Sequence, residues 1–262
     1  MSVELNGRSI IVTGAGRGIG AAIAADLAAR GARVAVADLD RESAEAVTAR
    51  IVAQGHEAKA FAVDVASRKN VRGLIGEVVA AYGRLDVMFN NAGISKTINF
   101  LDTTEEDFER IMRVNGLGVM IGIQEAARQM ISQGQGGKIV NTASIAGKQG
   151  YPLFAAYCAS KFAVVALTQA AGRALAEHKI TVNCFAPGVV RTELWKQLDT
   201  EFMELGLTKE AGQAINEFSA SILIGRAALP ADIVGTTSFL ASKASDYITG
   251  QTIMIDGGMV LT

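Results

Sequence analysis

Cysteine, histidine and proline are all scarce in this chain. Of 262 residues, two are cysteine, two histidine and three proline. Cys158 and Cys184 provide no disulfide framework, so a reducing compartment is expected, with the cytoplasm as the location. His56 and His178 lie in no Cys/His/Asp cluster with ligand spacing, so no metal site is expected. Neither histidine is placed for a triad and no G-x-S-x-G occurs, which excludes a serine hydrolase. Cys158 has no histidine near it in sequence and reads as a small buried residue, not a nucleophile. Neither sign of charge dominates: Lys+Arg 25 against Asp+Glu 26 leaves a net charge of -1. Nothing there suggests nucleic acid or an anionic membrane as partner. The N-terminus carries no charged segment followed by an apolar one, and no apolar run reads as long enough to span a bilayer.

What is abundant points the other way. Half the residues are hydrophobic and 28 are glycine, as expected for helices packed closely over a sheet. The length suits one large α/β domain over residues 1–262, and no repeat, low-complexity stretch or linker divides it. Short apolar runs alternate with helical patterns: strand 8–13, helix 19–30, strand 33–38, helix 41–54, strand 57–63, helix 67–82, strand 84–89. That alternation predicts a doubly wound parallel sheet. Thr104 is placed to cap a helix containing Phe108, Ile111, Val114 and Asn115. A strand at 138–143 precedes Ser144, an uncharged run at 162–172 reads as a buried helix, and another strand covers 181–186. Residues 190–218 form a two-helix flap, Pro230 opens a further helix, and a last strand lies near 251–256.

The first strand runs directly into Gly14-Ala-Gly-Arg17-Gly18-Ile19-Gly20 and a helix. Glycines there let backbone approach a pyrophosphate, and the helix N-terminus offers free N–H groups and a positive dipole end. The spacing is neither G-x-G-x-x-G nor a P-loop, and alone it is compatible with a plain strand-to-helix turn. Asp38 ends the second strand, where a carboxylate can accept both ribose hydroxyls of adenosine and repel a 2′-phosphate. It could equally cap the next helix, as could Asp40. Arg17 argues for a 2′-phosphate, but Leu39 and not a basic residue follows Asp38, so NAD is the expected cofactor. Asp64-Val65 is placed to meet the adenine, though Asp64 could also be a cap. Asn90-Asn91-Ala92-Gly93 can tie neighbouring strands to a ribose edge. Asn115 is a polar amide amid apolar residues, hence structural or functional.

Tyr157 and Lys161 lie one turn apart on a helix face, and Ser144 sits where a strand ends. A phenol normally titrates near pH ~10, and an adjacent ammonium lowers that value. The spacing predicts a tyrosine acid/base tuned by its lysine, although such pairs are also common on ordinary helix surfaces. Trp195, in the flap, is either an apolar substrate wall or part of the flap's own core.

Taken together, Thr13-Gly14-x-x-x-Gly18-x-Gly20, Asn90-Asn91-Ala92-Gly93, Asn115, Ser144, Tyr157-x-x-x-Lys161, Pro187-Gly188 and Asp256-Gly257-Gly258 resemble the short-chain dehydrogenase/reductase family in order and spacing. The resemblance covers essentially the whole chain. It implies a Rossmann-type domain with a parallel seven-stranded sheet, an oxidoreductase activity, and a homotetramer. By resemblance Tyr157 is the general acid/base, Lys161 binds the nicotinamide ribose and lowers the tyrosine pKa, Ser144 polarises the carbonyl, and Asn115 holds a water in the proton relay. Substrate would touch Ser144, Tyr157 and Trp195. The implied cofactor contacts are Gly14, Arg17, Gly18, Ile19, Gly20, Asp38, Leu39, Asp64, Val65, Asn91, Ala92, Gly93, Tyr157, Lys161, Pro187, Gly188, Val190 and Thr192.

Residues 136–141, 186–195 and 245–259 look like the acetoin reductase/butanediol dehydrogenase and sorbitol-type polyol dehydrogenase branch. That implies hydride transfer between NAD and a small polyol, vicinal diol or hydroxyketone. An alternative is a 3-oxoacyl-carrier-protein reductase, which would favour NADPH and an acidic carrier protein. Between residues 191 and 217 six acids stand against three bases, which would repel such a carrier. A non-catalytic dinucleotide sensor is a remoter alternative, since a sensor needs only the glycine loop and Asp38.

Overall fold

The computed structural model describes residues 4–261. Its seven strands are β1 (Ser9–Thr13), β2 (Arg33–Asp38), β3 (Ala58–Ala62), β4 (Val87–Asn90), β5 (Gly137–Thr142), β6 (Ile180–Pro187) and β7 (Thr252–Ile255). They form one parallel sheet in the order β3-β2-β1-β4-β5-β6-β7. The chain builds outward from β1 to β3, then crosses back to place β4 on the other side of β1. That reversal opens a crevice beyond the carboxyl ends of β1 and β4, where ligands of such sheets bind.

Alternation along each strand decides what covers which face. Ile10 and Val12 of β1 pack with α1 (Gly18–Ala29), α2 (Arg41–Ala53) and α9 (Pro230–Ala241). Ile11, between them, packs with α3 (Arg68–Tyr82), α5 (Gly118–Gln133) and α6 (Ala155–Leu175). Both faces are therefore dry, which is why the strands read as nearly continuous apolar runs.

The helix starts follow their caps. Thr104 accepts the N–H of Asp107 and opens α4 (Glu105–Met112). The helix expected to carry Asn115 does not run on regularly. α4 and α5 are joined by a π-helical turn, Arg113–Leu117, with Asn115 fully buried in it.

α6 corrects one expectation from sequence. Within Pro152–His178 the most apolar 18-residue window has mean hydropathy 1.4, enough in length and composition to cross a membrane. Its Val164, Thr168 and Gly172 face is buried, and it carries the buried Lys161. That identifies a core helix, while Phe162 and Ala166 lie on a face this chain leaves exposed.

The flap is the expected pair of helices, α7 (Glu193–Glu204) and α8 (Gln213–Ser219). Buried Asp199 accepts the backbone N–H groups of Gly212 and Ala214, fixing one helix to the other. Glu201 Oε2 accepts the N–H of Thr97 at 2.7 Å and holds the flap to the loop after β4.

Candidate active site

The glycine loop comes first. Gly14 has φ +63, and a Cβ there would lie 2.7 Å from Ala92 Cα. A Cβ on Gly20 would lie 2.1 Å from the Gly14 carbonyl oxygen. No other residue fits either place. Arg17 precedes α1 and offers no side-chain cap, and the first turn of α1 holds no acid. The unsatisfied N–H groups at that end are thus left for an anion. The cradle and its charge fit a dinucleotide pyrophosphate.

Asp40, not Asp38, takes the capping role left open by the sequence. Asp40 caps α2, accepting from Glu42 and Ser43 N–H groups. Asp38 Oδ2 accepts the N–H of Gly16 at 2.8 Å and Oδ1 that of Asp40 at 3.1 Å. Its carboxylate is oriented at the crevice with acceptor capacity left over. Asp64 is not the cap of α3, which is Ser67. Asp64 Oδ1 instead accepts from Ala66 N–H.

The paired asparagines close the strand ends. Asn91 Nδ2 donates to the carbonyls of Thr13 (3.0 Å) and Gly14 (3.2 Å), and its Oδ1 accepts from Thr142 Oγ1. Asn90 Nδ2 donates to Asn141 Oδ1 inside the sheet. Gly188 N–H donates to Ile255 O, and Val190 bridges to Ala228.

At the chemical centre Ser144 leads from the β5 end into a short turn, its Oγ accepting the Ala146 N–H at 3.1 Å. Burial pushes the Tyr157 phenol up to about 12, against the pull of a hydrogen bond from Ser144. Here burial outweighs the lowering expected from Lys161. Its Nζ lies 5.5 Å from the centre of the Tyr157 ring and donates to the Thr142 carbonyl at 2.7 Å. Burial also pulls the Lys161 ammonium down to about 8. In this state the two groups share an environment that disfavours charge on either.

The Asn115 side chain is engaged within the fold. Its Oδ1 accepts the Ile94 N–H at 2.9 Å, and its Nδ2 donates to Ile94 O and Ser160 Oγ. Both amide hydrogens are used, so the side chain clamps the loop carrying Ile94. Among the described residues, one cavity of about 310 Å³ brings together every other residue expected at the site, from Gly14 and Leu39 to Thr192 and Trp195. Asn115 lies behind it. The cavity also takes in Ile94, Val114, Thr142 and Leu194, which the sequence did not single out. Thr142 was findable as the strand end two residues before Ser144. Trp195 lines the cavity and packs edge-on to Phe218 at 5.4 Å.

Comparison with known proteins agrees with this geometry. The short chain dehydrogenase family pattern matches residues 8–202. L-2,3-butanediol dehydrogenase of Corynebacterium glutamicum is 43% identical, over 95% of this chain and 97% of that protein. A diacetyl reductase [(S)-acetoin forming] of Staphylococcus epidermidis is 40% identical, over 97% and 98%. A crystal structure from Beutenbergia cavernae, assigned as an NAD(P) dependent gluconate 5-dehydrogenase with NADP at low occupancy, superposes with TM-score 0.87 at 35% identity, covering 98% of both chains. The chain belongs to the short-chain dehydrogenase family and is an oxidoreductase that uses a nicotinamide dinucleotide.

Proposed function

We propose that the protein interconverts a small vicinal diol and the corresponding hydroxyketone, with NAD as cofactor. The carrying observation is the make-up of the substrate end of the cavity. Ile94, Leu194 and Trp195 line the cavity with the hydroxyls of Ser144 and Tyr157 and with Glu193, and in this reading they form the substrate end. A hexitol would bury several hydroxyls against those walls, each unpaired one costing about 1–3 kcal/mol. A four-carbon diol or hydroxyketone presents methyl groups instead. A butanediol dehydrogenase and a diacetyl reductase among the relatives support this reading.

A bound nicotinamide dinucleotide supplies the hydride acceptor or donor. In this reading the glycine loop and the start of α1 hold its pyrophosphate and Asp38 its adenosine ribose. Lys161, beside Gly93 and Thr142, meets the nicotinamide ribose. Ser144 donates to the substrate oxygen, and Tyr157 takes the hydroxyl proton in oxidation and returns it in reduction. Flap closure excludes water. The exposed apolar face of α6, with Phe162 and Ala166, supports assembly into a symmetric tetramer. The two free cysteines are buried, which suits a cytoplasmic enzyme.

The test is a substrate panel of butane-2,3-diol stereoisomers, acetoin, diacetyl, sorbitol and galactitol, followed by nicotinamide absorbance. Four-carbon substrates should exceed hexitols in kcat/KM by at least about a hundredfold, or about 2.7 kcal/mol. A hexitol preference would overturn the proposal.

A further inference from the structure

At the other end of the sheet lies a second cavity of about 840 Å³. Its lining comes from the amino ends of the strands: Arg8 before β1, Arg84 before β4, Lys138 in β5, Lys179 before β6 and Lys243 after α9. Five cations therefore face it against two acids, Asp86 and Asp246, a balance of +3 in a chain whose net charge is -1.

Both acids are already engaged. Arg84 pairs with Asp86 at 2.7 Å, and Lys138 with Asp246 at 2.7 Å. Arg8, Lys179 and Lys243 have no carboxylate partner among the described residues. Among the described residues the Arg8 guanidinium donates to the Ala241 carbonyl alone. Lys138 is unusual for a lysine, its side chain only 6% exposed. Its ammonium donates to Ser245 Oγ at 3.2 Å besides Asp246, leaving one of three N–H groups unassigned. Burial, and to a smaller degree the charge of Arg8, holds that ammonium below its usual range. Two further polar atoms in the same lining, Arg84 Nε and Thr181 Oγ1, are shielded and have no hydrogen-bond partner among the described residues. Excess positive charge, a buried ammonium and shielded unpaired polar atoms thus converge on one concavity. Shielded walls strengthen such a field over what the same charges would produce on open surface.

We propose that this cavity binds a small anion carrying two or more negative charges, a phosphate ester or a di- or tricarboxylate. The confinement of the cations to a concavity, in an otherwise near-neutral chain, fits a small ligand and not a polymer. The ligand would complete the unpaired charges of Arg8, Lys179 and Lys243 and accept from Lys138 and Arg84.

Calorimetric titration of the NADH-saturated enzyme tests this, because NADH fills the glycine loop where an anion would otherwise compete. The probes are inorganic pyrophosphate and citrate. At low ionic strength at least one should bind with Kd under about 1 mM and weaken as salt is added. Lys179→Ala/Lys243→Ala, which removes two exposed unpaired cations, should weaken binding by at least about tenfold and leave NADH turnover without anion unchanged. Lys138→Met should do the same through the buried position. Tighter pyrophosphate than citrate identifies a phosphate site, and the reverse a carboxylate site. No heat with either probe at about 10 mM, or a Kd unmoved in the double variant, overturns the proposal.

Discussion

The Lys161 ammonium lies 5.5 Å from the centre of the Tyr157 ring and donates to the Thr142 backbone carbonyl at 2.7 Å. Burial dominates both groups, raising the tyrosine to about 12 and lowering the lysine to about 8. The proton that Tyr157 exchanges is nonetheless irreplaceable in the reading given above. Tyr157→Phe should abolish turnover while leaving NADH affinity within about threefold, since most cofactor contacts lie elsewhere. Retention of more than about a tenth of wild-type kcat, a loss under ~1.4 kcal/mol, would remove Tyr157 from the chemistry.

Lys161 carries a cost that a stability measurement can see. Its pKa is 10.5 unfolded and about 8 folded, so the folded chain binds fewer protons between those values. The penalty is fully present below pH 8 and is relieved as pH rises from about 8 to about 10.5. It amounts to about 3 kcal/mol, offset in part by the hydrogen bond to Thr142. Lys161→Met should therefore raise the Tm of the unliganded enzyme near neutrality by about 2–4 °C while weakening NADH binding and turnover. A lower Tm, or unchanged NADH affinity, would contradict this account.

The two reaction directions should respond differently to pH. A raised phenol pKa means less phenolate at any given pH, and below the pKa its fraction grows tenfold per unit. Alcohol oxidation needs phenolate, so its kcat/KM should climb with a slope near one between about pH 6 and about pH 8. Ketone reduction needs the protonated phenol and should lack that rise. Above about 8 Lys161 loses its charge, and the oxidation profile should bend over. Parallel profiles in the two directions would mean that some other group donates the proton.

What the sequence made legible was local. β2 occupies the expected residues 33–38, Thr104 is a cap, and Tyr157 and Lys161 share a helix face because 3.6 residues per turn requires it. The seven-stranded sheet and the flap follow from alternation and from glycine interruptions. What stayed hidden depends on partners distant in the chain. Nothing in residues 113–117 announces a π turn, and the full commitment of the Asn115 amide depends on Ile94 and Ser160. Burial dominates both pKa values here, and burial is a tertiary property, invisible to an i, i+4 spacing. Glu201 was one flap acid among six until the fold set it against Thr97, 104 residues away.

That contact yields a prediction about the flap. Glu201 accepts from Thr97 N–H and from Gln197 Nε2, a charge-assisted arrangement worth about 1.5–3 kcal/mol. Glu201→Ala should favour the open flap and raise substrate KM by about fivefold or more, with kcat changed less. Glu201→Gln, which keeps one acceptor oxygen, should fall between. Steady-state kinetics at saturating cofactor decides this, and wild-type KM in the alanine variant would show that the flap is held by its apolar core alone.

In the proposed reading, cofactor choice rests on Asp38. Its two oxygens are steered by Gly16 and Asp40 N–H groups, and with Asp40 capping α2 the Asp38 carboxylate is left for a ribose. Hydrogen bonds from two hydroxyls to a carboxylate contribute about 1.5–3 kcal/mol each, whereas a 2′-phosphate beside it is repelled. Arg17, the opposing signal, is exposed and lies close enough to Asp40 to favour that carboxylate's charge. Its pull on a phosphate is thereby divided. We expect kcat/KM for NAD to exceed that for NADP by at least about a hundredfold, or about 2.7 kcal/mol. Asp38→Ser should shrink the ratio by weakening NAD and relieving repulsion. Leu39 is 76% exposed, so adding Leu39→Arg places a cation beside the phosphate without disturbing packing and should invert the preference. Wild-type enzyme that used NADPH within about tenfold of NADH would show that Asp38 does not govern the choice, and would favour the acyl-carrier reductase reading over the diol dehydrogenase.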